Sequence, residues 1–579
     1  MSAASEPLFD NPVRQALERC RPHFVSVALF SAVSNVLMLS PSIYMMQVYD
    51  RVVPTGGLMT LAALSAVGLF ALATLSTLDW LRGRLLVRAG ALLDHQLAGP
   101  TLRLIMTRPR LSQLQRAEAM RDLDTLRQGI SSPAVAALFD APWAPVYIIT
   151  AFLLHPALGA LSLGACVMMV LLAWHNERGV AKPLRVAGEA ASAAYAKQLH
   201  ISNHAAEVRA LGMASALTNR QLFDRAKVNN LQAQANFTGG NHSGLMRFIR
   251  LALQSGALAL GAILVVDGGI SGGAVFASSL LLSRSLQPIE QLVASWKSIT
   301  QSRNAYNRLG ALFVGEEYRD HTHLPAPTGA LSVEHLTVAN PSNDRVALAD
   351  ASFAIAAGQI VGVVGLSGAG KSTLLRALSG AATPARGHIR LDGASTIDWD
   401  PERLSRHIGY LPQNFVLFPG TVKENISRFR GLLDQHDMDD AHMLDAAVIE
   451  AAQRIGAHEM ILALPNGYDT PIGAGGLGLS AGQMQRIAIA RALFGKPKLL
   501  LLDEPTAHLD QQAQHAFIKT LSSLRAERCT VLFATHNGDI LASADKLLLL
   551  KDGRVDRFGP VSEGLNALRP VSHSAQKVY

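Results

Sequence analysis

The first 300 or so residues alternate between long apolar runs and long polar ones, without the period-two alternation of exposed strands. Residues 24–47 and 58–80 carry no ionised side chain until Asp79. Each reaches the roughly 20 residues that an α-helix needs to cross a hydrocarbon layer. A longer apolar stretch, 146–174, is interrupted by His155-Pro156. That dipeptide predicts a tight turn between a third and a fourth helix. The third then starts upstream, near Ala134, and carries Asp140 close to one end. Residues 245–266 and 273–292 supply a fifth and a sixth. Two segments between these runs, 85–133 and 177–240, are polar yet rich in Ala, Leu, Arg and Gln. They are too long for loops and too polar for a bilayer, so they predict helix pairs that project from the membrane. An independent polar domain is the alternative.

After Pro325-Ala326-Pro327 the pattern changes to short apolar strands alternating with helical stretches, as in an α/β domain. The expected organisation is a terminal segment at 1–21, a six-helix membrane domain at 22–305 and a linker at 306–329. An α/β domain at 330–565 and a tail at 566–579 complete it.

Composition agrees with a membrane-embedded half. Of the 579 residues 49% are hydrophobic and only 17% charged, and mean hydropathy is +0.21; a soluble chain carries about a quarter charged residues. The net charge of +8 invites a nucleic-acid reading until its placement is considered. Arg14, Arg19 and Arg21 precede the first apolar run, and Arg82, Arg84 and Arg88 follow the second. Arg178, Lys182 and Arg185 follow the fourth, and Arg247 and Arg250 open the fifth. The loops at Val53-Pro54, His155-Pro156 and Asp267-Gly268 are short and poor in cations. The positive-inside rule then places both termini in the cytoplasm, and nucleic acid is not an expected partner. Cys20, Cys166 and Cys529 are isolated and receive no role. The first apolar run is too long for a cleaved signal core and is expected to remain as an anchor.

The α/β half carries the chemistry. An apolar strand at 359–364 runs into Gly365-Leu366-Ser367-Gly368-Ala369-Gly370-Lys371-Ser372-Thr373, the G-x-x-x-x-G-K-[ST] pattern between strand and helix. Its glycines let backbone N–H groups close around phosphate oxygens, and the helix N-terminus favours their charge. Lys371 is placed to reach the β- and γ-phosphates of ATP, and Ser372 to ligate Mg²⁺. A second apolar strand, 499–502, ends in Asp503-Glu504. Asp503 suits a water-mediated contact to Mg²⁺, and Glu504 suits activation of the attacking water.

Between these motifs stands Leu479-Ser480-Ala481-Gly482-Gln483. Together with the P-loop it resembles the signature of ATP-binding cassette (ABC) proteins. The match extends to Gln413 in Tyr410-Leu411-Pro412-Gln413, Asp510 after Ala507-His508-Leu509, and His536 in Ala534-Thr535-His536. The resemblance implies two cassettes packed head to tail, each ATP lying between one P-loop and the partner's signature. Gly365, Ser367, Gly368, Gly370, Lys371, Ser372, Thr373, Ser480, Gly482, Gln483 and Asp510 then form the ATP-binding set. Glu504, His536 and Gln413 form the catalytic set, and Ser372, Gln413 and Asp503 the Mg²⁺ set. Ser480 and Gly482 would touch the γ-phosphate across the interface, His536 would steady it, and Gln413 would sense it. Three positions depart from the family pattern: Ala481 replaces the usual Gly, Ala507 a frequent Ser, and residues 338–341 lack the aromatic that stacks on adenine.

Three further stretches narrow the branch: residues 44–52 (YMMQVYDRV), 139–145 (FDAPWAP) and Phe558-Gly559-Pro560. They resemble type I protein secretion ATPases, and within these the protease and lipase branch. That resemblance implies a homodimeric half-transporter, multi-pass in a bacterial inner membrane. It also implies an adaptor protein, an outer-membrane channel and an unfolded polypeptide cargo with a C-terminal signal. An exporter of a lipid, glycan or small molecule shares the motor, and a non-transport ATPase acting on DNA or ribosomes would share the cassette alone. Locally, Tyr49-Asp50-Arg51 reads equally as a loop salt bridge and Trp143 as an interfacial anchor. Residues 122–128 and 207–212 read as the family's coupling helices or as solvated helix faces.

Overall fold

The computed structural model describes residues 11–108, 111–314, 324–339, 346–432, 438–473, 476 and 478–563. Asn340, Pro341 and the tail at 566–579 lie outside the described residues. The chain divides between Glu317 and Tyr318 into two compact units.

The first unit is helical. Among its described residues, five helical segments are long and apolar enough to cross a membrane: Arg21–Thr55, Leu58–Thr107, Pro133–Leu154, Pro156–His175 and Gly244–Val266. The sixth expected segment forms the helix Gly272–Ala294, whose 23 residues are long enough but include Arg284 and Glu290. Its composition has a packing reason. Gly273, Ala274, Ala277, Ser278, Ser279 and Ser285 are buried against other helices, where small residues allow close approach and lipid does not set the composition. By contrast Met59, Leu69 and Phe70 on the second span point outward, as apolar side chains facing lipid do.

The polar segments are continuations of the spans. Leu58–Thr107, Pro156–Asn203 and Ala214–Val266 hold 50, 48 and 53 residues. At about 1.5 Å per residue each is roughly 75 Å long, more than twice the ~30 Å of hydrocarbon. The separate polar domain is therefore excluded. Helix Gln113–Ile130 packs its Leu123, Leu126 and Ile130 with Leu93, Leu97, Leu309 and Phe313. Asp122, buried beneath it, accepts both arms of the Arg308 guanidinium at 2.7 and 2.5 Å. Residues 122–128 thus lie well inside a packed helix that begins at Gln113, with Asp122, Leu123 and Leu126 buried and Asp124 and Gln128 exposed. Residues 207–212 do stand at such a turn, in the short exposed helix Ala205–Ala210 and its end. Helix Trp296–Phe313 carries regular structure through 306–313, a stretch expected as linker.

The first span is interrupted because Pro41 cannot donate to the carbonyl of Leu37. Helix Arg21–Leu37 therefore ends, and Ser40–Gln47 restarts after Leu39. A π-turn, Val48–Val52, follows and holds Tyr49-Asp50-Arg51. The third span changes pitch at Ala141–Trp143, between Asp140 and the Pro142 and Pro145 that resist a regular helix. His155, extended, makes the turn before Pro156.

The second unit has strands β1 (Leu331–Ala339), β2 (Val346–Ile355), β3 (Ile360–Val364), β4 (Arg386–Leu391), β5 (Ala394–Ser395), β6 (Ile408–Leu411), β7 (Gly420–Thr421), β8 (Pro471–Ile472), β9 (Leu499–Asp503), β10 (Thr530–Ala534), β11 (Lys546–Lys551) and β12 (Arg554–Pro560). The main sheet has the order β12-β11-β3-β10-β9-β6. All its neighbours run parallel except the β11–β12 hairpin. β3, β9 and β10 are buried at every position, because a parallel sheet is covered on both faces. Their side chains alternate between two cores. Ile360, Leu500, Leu502, Val531 and Phe533 pack on one face, and Val361, Val363, Leu499, Leu501 and Leu532 on the other. A second, antiparallel sheet has the order β2-β1-β4-β5.

Candidate active site

Parallel strands deliver their C-terminal ends to one edge, where ligands of such sheets bind. Here β3 releases Gly365, β9 ends on Asp503, β10 leads to Thr535-His536, and β6 leads to Pro412-Gln413. Pairing of Ala534 with both Val363 and Asp503, and of Leu411 with Leu502, puts these ends in register. One edge therefore collects the P-loop, the acidic pair, His536 and Gln413.

The P-loop follows from local constraints. A Cβ on Gly365 would stand 2.4 Å from the Leu550 carbonyl of the neighbouring strand. Gly370 has φ +100 and a Cβ there would meet Ala347 O at 2.9 Å. The helix Lys371–Leu378 begins directly after it with no side-chain cap, so its first N–H groups stay available for an anion. Lys371, buried, donates from Nζ to Gly365 O at 2.7 Å and Leu366 O at 3.2 Å. Ser367 and Gly368 lie exposed on the loop. Thr373 Oγ1 accepts from Arg376 at 3.4 Å.

Asp503 is buried and hydrogen-bonded to Ser372; burial pushes its carboxyl above the usual range, and the Ser372 bond and Lys371 pull it back. Glu504 is also raised by burial, opposed by His536 and reinforced by Asp503. Its Oε1 stands 3.5 Å from His536 Nε2, whose ring is largely exposed. Burial lifts the Tyr410 hydroxyl to about 12, beside Asp503. Gln413 is exposed at the same edge.

Ser480, Gly482, Gln483 and Asp510 sit elsewhere. Ser480 caps the helix Ala481–Leu493 in a box with Gln483, its N–H donating to Gln483 Oε1 at 2.8 Å and its Oγ accepting from Gln483 N at 3.3 Å. That exposed turn presents N–H groups outward. Asp510 caps the helix Gln511–Ala526 by accepting from Ala513 N at 2.8 Å, and it pairs with Arg486 at 2.7 Å. Gln485 and Arg486 tie the Ser480 helix to the Glu504–Asp510 turn by hydrogen bonds. Sequence reading passed over Gln485, which bonds that turn, and Arg428, which bonds Arg491 O and Ala492 O at the helix end. Neither belongs to a motif the reading used.

In the first unit Asp50 forms no salt bridge among the described residues. It accepts from Ser271 Oγ at 2.5 Å and Gly273 N at 2.8 Å, capping the sixth helix, while Tyr49 stacks on Phe276. Asp140 receives Arg82 at 2.7 Å and Asn35 at 2.8 Å, so the helix interruption at 141–143 sits on a buried polar knot.

A parallel sheet that gathers a P-loop, an acidic strand end and a histidine, carried on the same chain as long apolar helices, defines an ABC transporter. A model of the ABC transporter family matches residues 348–507. The chain is 38% identical over 559 residues to the "Type I secretion system ATP-binding protein PrsD" of Rhizobium meliloti (strain 1021), covering 96% of this chain and 94% of the relative. It belongs, accordingly, to the type I secretion ATP-binding proteins of the ABC transporter family, and is an ATP-binding ATPase and a multi-pass membrane protein. The "Cyclolysin secretion/processing ATP-binding protein CyaB" of Bordetella pertussis is 29% identical, over 94% of this chain and 76% of that one. The "Toxin RTX-I translocation ATP-binding protein" of Actinobacillus pleuropneumoniae is 26% identical, over 97% and 79%. The fold is that of a bacterial Atm1-family ABC exporter solved with ATP bound, with a TM-score of 0.80, 23% identity and coverage of 94% and 96%.

Proposed function

We propose that the protein is a homodimeric exporter of an unfolded polypeptide from the cytoplasm across a bacterial inner membrane, with both termini cytoplasmic. An adaptor protein and an outer-membrane channel receive the cargo, which carries a C-terminal export signal. The observation that carries this reading is the end-to-end similarity to a type I secretion protein, through membrane helices and cassette alike.

ATP lies along the strand-end edge. Lys371 leaves its two carbonyls for the β- and γ-phosphates, and the N–H groups after Gly370 close on the same oxygens. Glu504 orients a water toward the γ-phosphorus and takes its proton, while His536, 3.5 Å away, steadies the phosphate. The partner's Ser480 turn closes the other side. Ser372, Asp503 and Gln413 offer only hard oxygen donors, which fits Mg²⁺. Mg²⁺, when bound there, neutralises charge developing on the phosphates.

The test is a chromosomal deletion. Comparison of culture media should show one secreted protein missing, restored by the parent gene and by no Lys371→Ala copy. An unchanged medium while the gene is expressed, with ATPase activity stimulated by a lipid or small molecule, would replace the cargo in this reading.

A further inference from the structure

Glu504 has φ +50, in the left-handed region that a non-glycine residue occupies only under strain. Such a conformation persists only where its surroundings over-determine it. Three hydrogen bonds do so here. The Glu504 N–H donates to Ala534 O of β10 at 2.9 Å, fixing the peptide before the Cα. The Glu504 carbonyl accepts from Gln485 Nε2 at 3.1 Å and from Ala507 N–H at 3.3 Å, fixing the peptide after it. Gln485 also accepts, through Oε1, from His508 N–H at 2.8 Å. Its side chain is 1% exposed. Reversing the amide would set oxygen against oxygen, so both partners define its orientation. Gly482, a turn earlier, approaches His508 O so closely that a Cβ would lie 3.0 Å away, and Arg486 holds Asp510.

We propose that Gln485 is the positioning residue for Glu504: its amide clamps the left-handed turn and thereby aims the carboxylate at the water site. The inference rests on Glu504 being the group that activates water. With the amide gone, only the longer bond from Ala507 N–H holds the Glu504 carbonyl; φ and ψ of Glu504 relax together and the carboxylate swings from its place 3.5 Å from His536. ATP binding, made by the P-loop, is untouched.

The experiment uses purified full-length protein in detergent or nanodiscs. Gln485→Leu should lower kcat for ATP hydrolysis at least about tenfold while ATP affinity stays within about twofold. Gln485→Glu supplies the signature that a merely structural role would not give. Ionised, the introduced carboxylate cannot donate to Glu504 O; protonated, it can. The ratio of Q485E to parent turnover should therefore rise about tenfold as pH falls from about 8.5 to about 6.5, and that of Q485L should stay flat. Turnover of Q485L within twofold of the parent overturns the proposal. So do parallel losses of kcat and ATP affinity in both variants, a flat Q485E ratio, or failure of both to fold, each of which makes Gln485 a packing residue. Glu504→Gln is the control. If it hydrolyses ATP normally, the role of Glu504 itself fails; if it is inactive while Q485L is normal, only the clamp fails.

Discussion

Glu504 shows how a single carboxyl is set for its task. Burial raises its pKa, His536 draws it down, and Asp503 raises it further. If Glu504 is the base proposed above, it acts only when ionised, so kcat should fall as pH drops through this raised value, above the ordinary ~4.3 of a glutamate. A kcat–pH profile of the parent checks this, and His536→Ala should move the acid limb to higher pH by removing the opposing cation. An acid limb that ignores the His536 substitution would mean that the imidazole does not act on Glu504. Stability runs the other way: a carboxyl raised in the folded state contributes most below its unfolded pKa, and that contribution is lost as pH rises through the folded one. Glu504→Gln should therefore fold at least as well as the parent at neutral pH. The same variant should bind ATP yet hydrolyse it about 10²–10⁴ times more slowly, a loss of about 3–5 kcal/mol. Tight ATP binding with turnover near the parent's would assign water activation to another group.

At the scale of elements, the helix Ala481–Leu493 is held at both ends. Its start is the Ser480–Gln483 capping box, and its end rests on Arg428. The Arg428 guanidinium donates to Arg491 O at 3.0 Å, Ala492 O at 3.1 Å, Ser405 O at 2.7 Å and Ile408 O at 3.1 Å. It thus also closes the helix Pro401–His407. Burial, with Arg430 and Arg491 nearby, lowers its pKa to about 10, so it remains a cation at neutral pH. Four carbonyls from two helix ends converge on one side chain, which helix termini otherwise satisfy with water or glycine caps. Arg428→Met keeps the volume and orphans those carbonyls. It should destabilise the ATPase unit by about 3–5 kcal/mol in a chemical-denaturation measurement. A loss below about 1 kcal/mol would show that water replaces the guanidinium readily.

For the whole molecule, the described geometry of one chain leaves the Ser480 turn exposed, on a helix bonded to the Glu504–Asp510 segment. If each ATP is shared between two copies as proposed, mixtures of variants give a definite prediction. Lys371→Ala spoils the P-loop, and Ser480→Arg blocks the opposite wall. A homodimer of either variant carries two damaged sites, whereas the mixed dimer gathers both lesions at one site and leaves the other intact. Purified through two different tags, the mixed dimer should bind about one ATP per dimer and regain part of its hydrolysis, with the regain reduced where the two sites are coupled. A mixed dimer that binds no more nucleotide than either parent variant would separate the two motifs into independent sites.

Patterning by itself determined a great deal here. Bilayer thickness and the 1.5 Å rise of a helix fix which apolar runs are spans. Phosphate chemistry fixes where Gly365, Gly370 and Lys371 must stand, because those constraints act within a few residues. The polar half-helices were legible as helices for the same local reason. Only tertiary structure decided what depends on neighbours distant in sequence. The sixth helix was legible as an apolar run, but only the packed structure shows why it carries small and polar side chains, which answer to other helices rather than to lipid. Residues 122–128 read as a coupling helix or a solvated face; the structure exposes Asp124 and Gln128 but buries Asp122 against Arg308, far along the chain. Asp50 looks like a loop charge until the start of the sixth helix arrives to be capped. Gln485 and Arg428 carry no local signal of their roles, since each acts by bonding backbone groups that the fold alone brings within reach.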